Sequence, residues 1–99
     1  MQYKFDWDPR KASTNIRKHK VTFQQAACVF RDPQHLSIYD EGHSEDEDRW
    51  ITLGMGEGGA LLIVVHTFEP LDKDNVSIRM ISARKATPAE ITHYKEVNQ

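Results

Sequence analysis

Three cationic side chains interrupt an otherwise apolar stretch, "RMISARKAT", at residues 79–87. The apolar residues of this stretch belong in a core, whereas Arg79, Arg84 and Lys85 need solvent or a charged partner. A guanidinium binds a carboxylate or a phosphate through two parallel hydrogen bonds. The stretch therefore predicts either structural salt bridges or a site for an anionic, phosphate-bearing ligand.

The two arginines can serve one site only if the strand that carries them is irregular. Strict alternation along a strand places Arg79 and Arg84 on opposite faces of the sheet, because they are five residues apart. They reach the same face only if the strand bulges near Ser82. For Arg79, the structural alternative is a salt bridge with an acid such as Glu45 or Glu47.

Arg49 and Trp50 follow directly after an acidic loop and form a second candidate group. Arg49 can pair with that loop and Trp50 can belong to the core, but an arginine beside an aromatic ring is also a platform for stacking nucleotide bases. His66 closes the apolar run Ala60–Val65. A histidine at that position is either a satisfied core residue or an acid or base beside a cleft.

The segment 10–20 carries six basic side chains and no acid. On a helix, Lys11, Asn15 and Lys18 share one face. His19 falls on the opposite side, with Ile16. The segment is either a solvated basic face, with His19 favoured by the helix dipole, or a surface that follows the phosphates of a nucleic acid.

Composition limits the remaining possibilities. A chain of 99 residues forms a single domain, 1–99, with one modest core. The lone Cys28 forms no internal disulfide, and neither a secretory signal nor a membrane-length apolar run is present, so a cytoplasmic protein with no membrane contact is expected. No zinc spacing, calcium loop or phosphate-binding glycine motif occurs, so we expect neither a metal nor a cofactor.

The net charge of −2 conceals a partition of charge along the chain. Residues 1–31 hold seven Lys or Arg against two acids, and residues 32–48 hold seven acids with no Lys or Arg. Residues 49–99 hold six Lys or Arg and six acids. A basic surface from the first third suits RNA, DNA or an acidic protein, whereas the acidic block can be a solvated loop.

Periodicity and capping signals predict the elements that position these residues. Helices are expected from Pro9 to near Lys20, from Phe23 to Phe30 and after Thr87; the last two open with the capping-box spacings of Thr22 and Thr87. Strands are expected at 3–7, 36–40, 49–55, 60–68 and 76–83. Short links pair consecutive strands antiparallel, so the class is α+β: an antiparallel sheet of about four to five strands, two N-terminal helices and one C-terminal helix.

Several motifs together resemble the BrnT family of bacterial toxins. They are "FDWDPRKASTNIRKHKVTFQQAACVFRDP", "DEDRWITLG", "LLIVVHT" and "IRMISARKAT", and they run in order from Phe5 to about Tyr94. The chain departs from the family at Lys20, where glycine is frequent, and in the longer loop "FEPLDKDN". The resemblance implies a RelE-like fold and a translation-blocking ribonuclease toxin of a type II toxin–antitoxin system. It also implies a BrnA-type antitoxin as partner, with any DNA contact made only through that antitoxin.

Such an enzyme requires a base, an acid and cations around the phosphate, but no metal, because the 2′-hydroxyl of RNA is the nucleophile. The candidate catalytic residues are Arg79, Arg49, Arg84, His19, His66 and Glu47. The candidate RNA-binding residues are Lys11, Lys18, Trp50 and Lys85. The alternative is a non-catalytic module that uses the same basic surface to bind RNA or an acidic protein.

Overall fold

The computed structural model describes residues 1–99 as six strands and three helices. The strands are β1 (Gln2–Asp6), β2 (Leu36–Tyr39), β3 (Trp50–Met55), β4 (Leu61–His66), β5 (Glu69–Pro70) and β6 (Asn75–Lys85). The helices are α1 (Pro9–His19), α2 (Phe23–Ala27) and α3 (Pro88–Val97). The predicted α+β class is confirmed, and the strand count exceeds the prediction by the two-residue β5.

The strands form one sheet in the order β1-β6-β4-β3-β2, with β5 paired to the first part of β6. The pairs β2–β3, β3–β4 and β4–β6 are antiparallel, as predicted. The pair β1–β6 is parallel, so the sheet is mostly antiparallel, with one parallel edge that the prediction did not include. The first strand pairs with the last one rather than with its neighbour in sequence, and the long stretch of chain between the two provides the connection that a parallel pair requires.

Local capping chemistry determines where the helices begin. The Asp8 side chain accepts the backbone N–H of Arg10 at the start of α1. Thr22 and Thr87 open α2 and α3 with complete capping boxes, as predicted. Helix α2 ends at Ala27, and a 3₁₀ turn over Cys28–Arg31 replaces the rest of the predicted helix.

Strand β6 has a bulge next to Ser82, which is the condition under which Arg79 and Arg84 share a face. Val65 pairs with Ser82 and His66 with Met80, so Ile81 is the extra residue on β6. The buried residues accordingly change phase, and Arg79 and Arg84 both lie on the face away from α1 and α2.

The core lies between the sheet and the two N-terminal helices. It is built around Phe23, Val29, Val64, Ile78 and Met80, each at most 1% exposed. A smaller cluster on the other face joins Leu53 and Ile63 to Tyr94 of α3. None of the three helices is long and apolar enough to span a bilayer.

Candidate functional site

A carboxylate between two arginines lies at one end of the sheet. The Glu47 carboxylate accepts a hydrogen bond from the Arg79 guanidinium and lies 3.8 Å from Nε of Arg49. All three side chains remain between 32% and 39% exposed, so a ligand can reach them. Nε of Arg49 is buried without a hydrogen-bond partner. We call this group the Glu47 cluster.

The loop that carries Glu47 is tied at its base. The backbone N–H of Asp40 donates to the carbonyl of Arg49, and the N–H of Arg49 donates to Oγ of Ser44. The Tyr39 hydroxyl donates to Asp48 at 2.8 Å. These contacts hold the loop across the end of β3, so Glu47 meets Arg79 from a distant part of the chain.

The Glu47 cluster opens into a hollow of about 470 Å³. Arg79, Thr67, Phe68 and Ser77 line it together with the carboxylates of Asp6, Glu47, Asp48 and Glu69. The acids outnumber the cations there. The hollow can therefore supply a base and one guanidinium, whereas Arg49 lines a neighbouring hollow on the other side of Glu47. The acid-lined hollow does not attract a polyanion over a distance.

A second hollow, of about 310 Å³, runs along α1 and has no carboxylate in its lining. Four basic side chains line it, with Thr14, Asn15, Ile81 and Ser82 between them: Arg10, Lys11, Lys18 and His19. We call it the α1 groove. The prediction that Lys11 and Lys18 share a face is correct, whereas the separation of His19 from them is wrong. His19 follows the buried Asn15 by four residues and therefore lies on the same face of the helix.

Arg84 is separated from the Glu47 cluster. It shares the sheet face with Arg79, but five residues along a strand correspond to about 16 Å. Its guanidinium forms two hydrogen bonds with Glu90 of α3, at 2.8 and 2.9 Å. The hydrogen bond from Arg84 lowers the pKa of Glu90 to about 2, and the same hydrogen bond raises the pKa of Arg84. The expected convergence of Arg84 with Arg79 and Arg49 is therefore wrong.

His66 is a structural part of the sheet. It is 1% exposed, its Nδ1 lies 2.7 Å from the carbonyl of Thr67, and its Nε2 lies 2.7 Å from Oγ1 of Thr52. Burial lowers the pKa of His66, so the ring is neutral at neutral pH. Both nitrogens already have partners, and no substrate group can reach either of them.

Trp50 contributes to an aromatic group rather than to the main core. It is half-buried, packs edge-to-face on Tyr39 at 5.4 Å and lies 6.3 Å from Phe68 between ring centroids. Phe68 was expected inside the fourth strand, but it follows the end of that strand and lines two hollows at once. Lys85 is exposed at the end of β6 and forms no ion pair.

No sequence pattern singles out Arg10, Phe68 or Ser37 as site residues. Arg10 was recognisable as basic, but only the fold aligns it with Lys18 in the α1 groove. Phe68 and Ser37 line the same pocket because segments distant in sequence pack together, and no local signal indicates this. No group of three or more His, Cys, Asp or Glu side chains is arranged to hold a metal ion.

The fold and these charged surfaces define a small α+β domain whose cationic helix groove suits a polyanionic ligand. A family model described as ribonuclease toxin, BrnT, of type II toxin-antitoxin system matches residues 7–90. The chain belongs to this BrnT family of ribonuclease toxins.

The 1.1 Å crystal structure of the Brucella abortus ribonuclease toxin BrnT is similar in fold, with a TM-score of 0.59 and 25% sequence identity. The match covers 87% of this chain and 99% of the Brucella chain. No curated protein sequence gave a significant match.

Proposed function

We propose that the chain is a metal-independent endoribonuclease in which Glu47 is the general base. Glu47 takes the proton of the 2′-hydroxyl, and the oxygen then attacks the adjacent phosphorus to form a 2′,3′-cyclic phosphate. The bond from phosphorus to the 5′-oxygen of the next nucleotide breaks, and that oxygen takes up a proton from water and leaves as a 5′-hydroxyl. Arg79 and Arg49 neutralise the charge that develops on the phosphate oxygens. The observation that carries the proposal is the exposed carboxylate of Glu47 held between these two guanidiniums.

The α1 groove is proposed to hold the RNA backbone on the approach to the Glu47 cluster. Asp6 pairs in register with Arg79, and Arg10 follows Asp6 by only four residues, a span of at most about 14 Å. The groove therefore begins beside the end of β1, and an RNA that follows it must pass round this end of the strand, because Arg79 lies on the face of the sheet away from α1. It supplies the cationic field that the acid-lined hollow lacks, with Lys11, Lys18 and His19 as backbone contacts.

The test is cleavage of an end-labelled RNA by the purified chain and by two variants. Arg79→Ala and Glu47→Gln are each expected to lower the single-turnover rate by about 10²–10⁴-fold, since each removes a transition-state interaction. Glu45→Gln is the matched control, because Glu45 lies in the same loop and forms no ion pair with either arginine. Near-native cleavage by Arg79→Ala at unchanged thermal stability would contradict the mechanism.

The chemistry of the nucleophile is tested separately. A single 2′-deoxy substitution on the 5′ side of the cleaved bond is expected to abolish cleavage, because the attacking oxygen is removed. The 5′ product of unmodified RNA should end in a 2′,3′-cyclic phosphate, and the rate should be unchanged in EDTA. A product ending in a 3′-hydroxyl would contradict attack by the 2′-oxygen.

A non-catalytic RNA-binding module is the second candidate. It is favoured by the contrast between the acid-free α1 groove and the acid-rich hollow in which Arg79 is already paired. This candidate predicts RNA binding with a strong salt dependence and no cleavage under any of the conditions above.

We propose a BrnA-type antitoxin as the partner, consistent with the type II toxin–antitoxin description of the family. An antitoxin segment that covers Arg79 and Arg49 would block the substrate by occupying its site. The complex is expected to be inactive and to protect both arginines from modification by a phenylglyoxal reagent. A neutralised complex in which both arginines react as in the free chain would contradict this arrangement.

A further inference from the structure

An aromatic pocket of about 290 Å³ lies beside the Glu47 cluster and has no part in the mechanism above. Four aromatic side chains line it: Tyr3, Phe30, Trp50 and Phe68. Phe68 is 37% exposed and Trp50 is half-buried, so ring faces remain accessible at the mouth. Such faces stack on nucleobases.

A chain of hydrogen bonds determines which polar atoms at the rim of the pocket can accept a hydrogen bond from a ligand. The carbonyl of Thr67 can only accept, so His66 donates from Nδ1 and accepts at Nε2. Thr52 must then donate its hydroxyl proton to His66, at 2.7 Å, and accept the proton of Ser37, also at 2.7 Å. The exposed Ser37 oxygen is left with its lone pairs as acceptors.

His35 provides a second acceptor on the same pocket. Its Nδ1 lies 2.7 Å from the carbonyl of Asp32 and must donate to it. In the neutral ring Nε2 is then an acceptor. With Ser37 and His35 the pocket presents two acceptors among aromatic faces, and a matching base must carry more than one N–H donor on its edge.

We infer that this pocket binds a guanine base of the RNA and thereby selects the cleavage position. Guanine carries two neighbouring donors, its ring N–H and its amino group, whereas the edge of uracil carries one donor. The inference rests on the proposed function for the identity of the ligand. Phe68 lines both this pocket and the Glu47 hollow, so a base held here brings its own sugar and phosphate towards Glu47 and Arg79.

The test measures binding without cleavage. The chain has two tryptophans, and Trp7 packs on Phe23 at 5.8 Å, away from the pocket. In a Trp7→Phe background the remaining emission reports Trp50 alone. Three 2′-O-methyl trinucleotides, which lack the attacking hydroxyl, serve as probes: UGU, UIU with inosine, and UUU.

The expected result is quenching of Trp50 by UGU, with affinity about fivefold to tenfold higher than for UIU or UUU, the effect of one net hydrogen bond. Ser37→Ala should reduce the preference for UGU, because its acceptor is lost. Phe68→Ala should weaken all three probes by at least about fivefold through lost stacking. Leu71→Ala, on an exposed residue of the following loop, is the matched control.

Equal affinity for the three probes would overturn the inference, and so would Trp50 emission that responds to an antitoxin but to none of the RNAs. The latter result would identify the pocket as a protein contact. Because the probes are not cleaved, these outcomes are independent of the rates of the Arg79 and Glu47 variants. A chain that binds UGU selectively but cleaves no RNA would refute the nuclease mechanism and retain the guanine site.

Discussion

Asn15 and Ala83 are joined by two hydrogen bonds that run in opposite directions. Nδ2 of Asn15 donates to the carbonyl of Ala83 at 2.8 Å, and the backbone N–H of Ala83 donates to Oδ1 of Asn15 at 2.9 Å. Strand β1 pairs with β6 only as far as Arg79. Beyond that point, the side chain of a helix residue satisfies backbone groups for which β1 provides no partner.

Replacement of Asn15 by alanine is expected to lower the free energy of unfolding by about 2–4 kcal/mol. Asn15 is 4% exposed and also donates to the carbonyl of Val21, so three buried backbone groups lose a partner. Urea denaturation measures the loss. Ser13→Ala, at an exposed position on the same helix, should change stability by less than about 0.5 kcal/mol. A similarly small loss for Asn15→Ala would show that water replaces the side chain.

Lys20→Gly is expected to stabilise the protein by about 0.5–1 kcal/mol. Lys20 ends α1 with φ 60° and ψ 29°, the left-handed conformation that a side chain disfavours and glycine adopts freely. Thermal unfolding gives the difference. Lys18→Gly, two residues earlier and inside the helix, should instead destabilise by about 1 kcal/mol. Equal effects at the two positions would mean that backbone conformation does not explain either of them.

The local features of this fold were predictable from the sequence, because each depends on residues close in the chain. Thr22 with Gln25 and Thr87 with Glu90 identify two helix starts, and both capping boxes are present. The bulge near Ser82, without which Arg79 and Arg84 cannot share a face, also occurs, but it depends on pairing with β4 and no local pattern requires it.

The long-range features were not predictable, because they depend on which elements meet. The apolar Ile16 is 44% exposed, while the adjacent polar Asn15 is buried against β6. The sequence makes Arg84 a candidate catalytic residue, but α3 folds back and supplies Glu90 to it. Nothing in the sequence around Ser37 indicated that it would reach His66 through Thr52.

The α1 groove is expected to provide most of the salt-dependent affinity for RNA. Lys11→Ala and Lys18→Ala should each weaken binding of a non-cleavable RNA and reduce the slope of log K against log salt by about 0.7, the value for one phosphate contact on a single strand. Fluorescence anisotropy between low and moderate salt gives the slope. Lys95→Ala, at an exposed position of α3, is the control. A slope unchanged in both groove variants would mean that RNA binds elsewhere.

The ion pair of Glu90 with Arg84 makes stability depend on acid pH. The hydrogen bond from Arg84 lowers the pKa of Glu90 to about 2 in the folded chain, against an ordinary value of 4.5. Glu90 binds a proton more tightly in the unfolded chain than in the folded one. The stabilisation that the ion pair provides is therefore complete above about pH 4.5 and is lost as the pH falls towards about 2. It is modest in size, because the Arg84 side chain is 41% exposed to screening solvent.

Glu90→Gln isolates this charge, because glutamine can still accept the backbone N–H of Thr87 and complete the capping box. We expect the variant to be less stable than the native chain by about 1 kcal/mol at pH 7. The difference in the free energy of unfolding between the two chains should become smaller as the pH is lowered from about 4.5, and it should vanish near about pH 2, where native Glu90 becomes protonated. Urea denaturation at pH 7, 4 and 2.5 measures this difference. Glu96→Gln, at an exposed position of the same helix, is the control. A difference that stays constant over this range would assign the loss to packing or capping rather than to the ion pair.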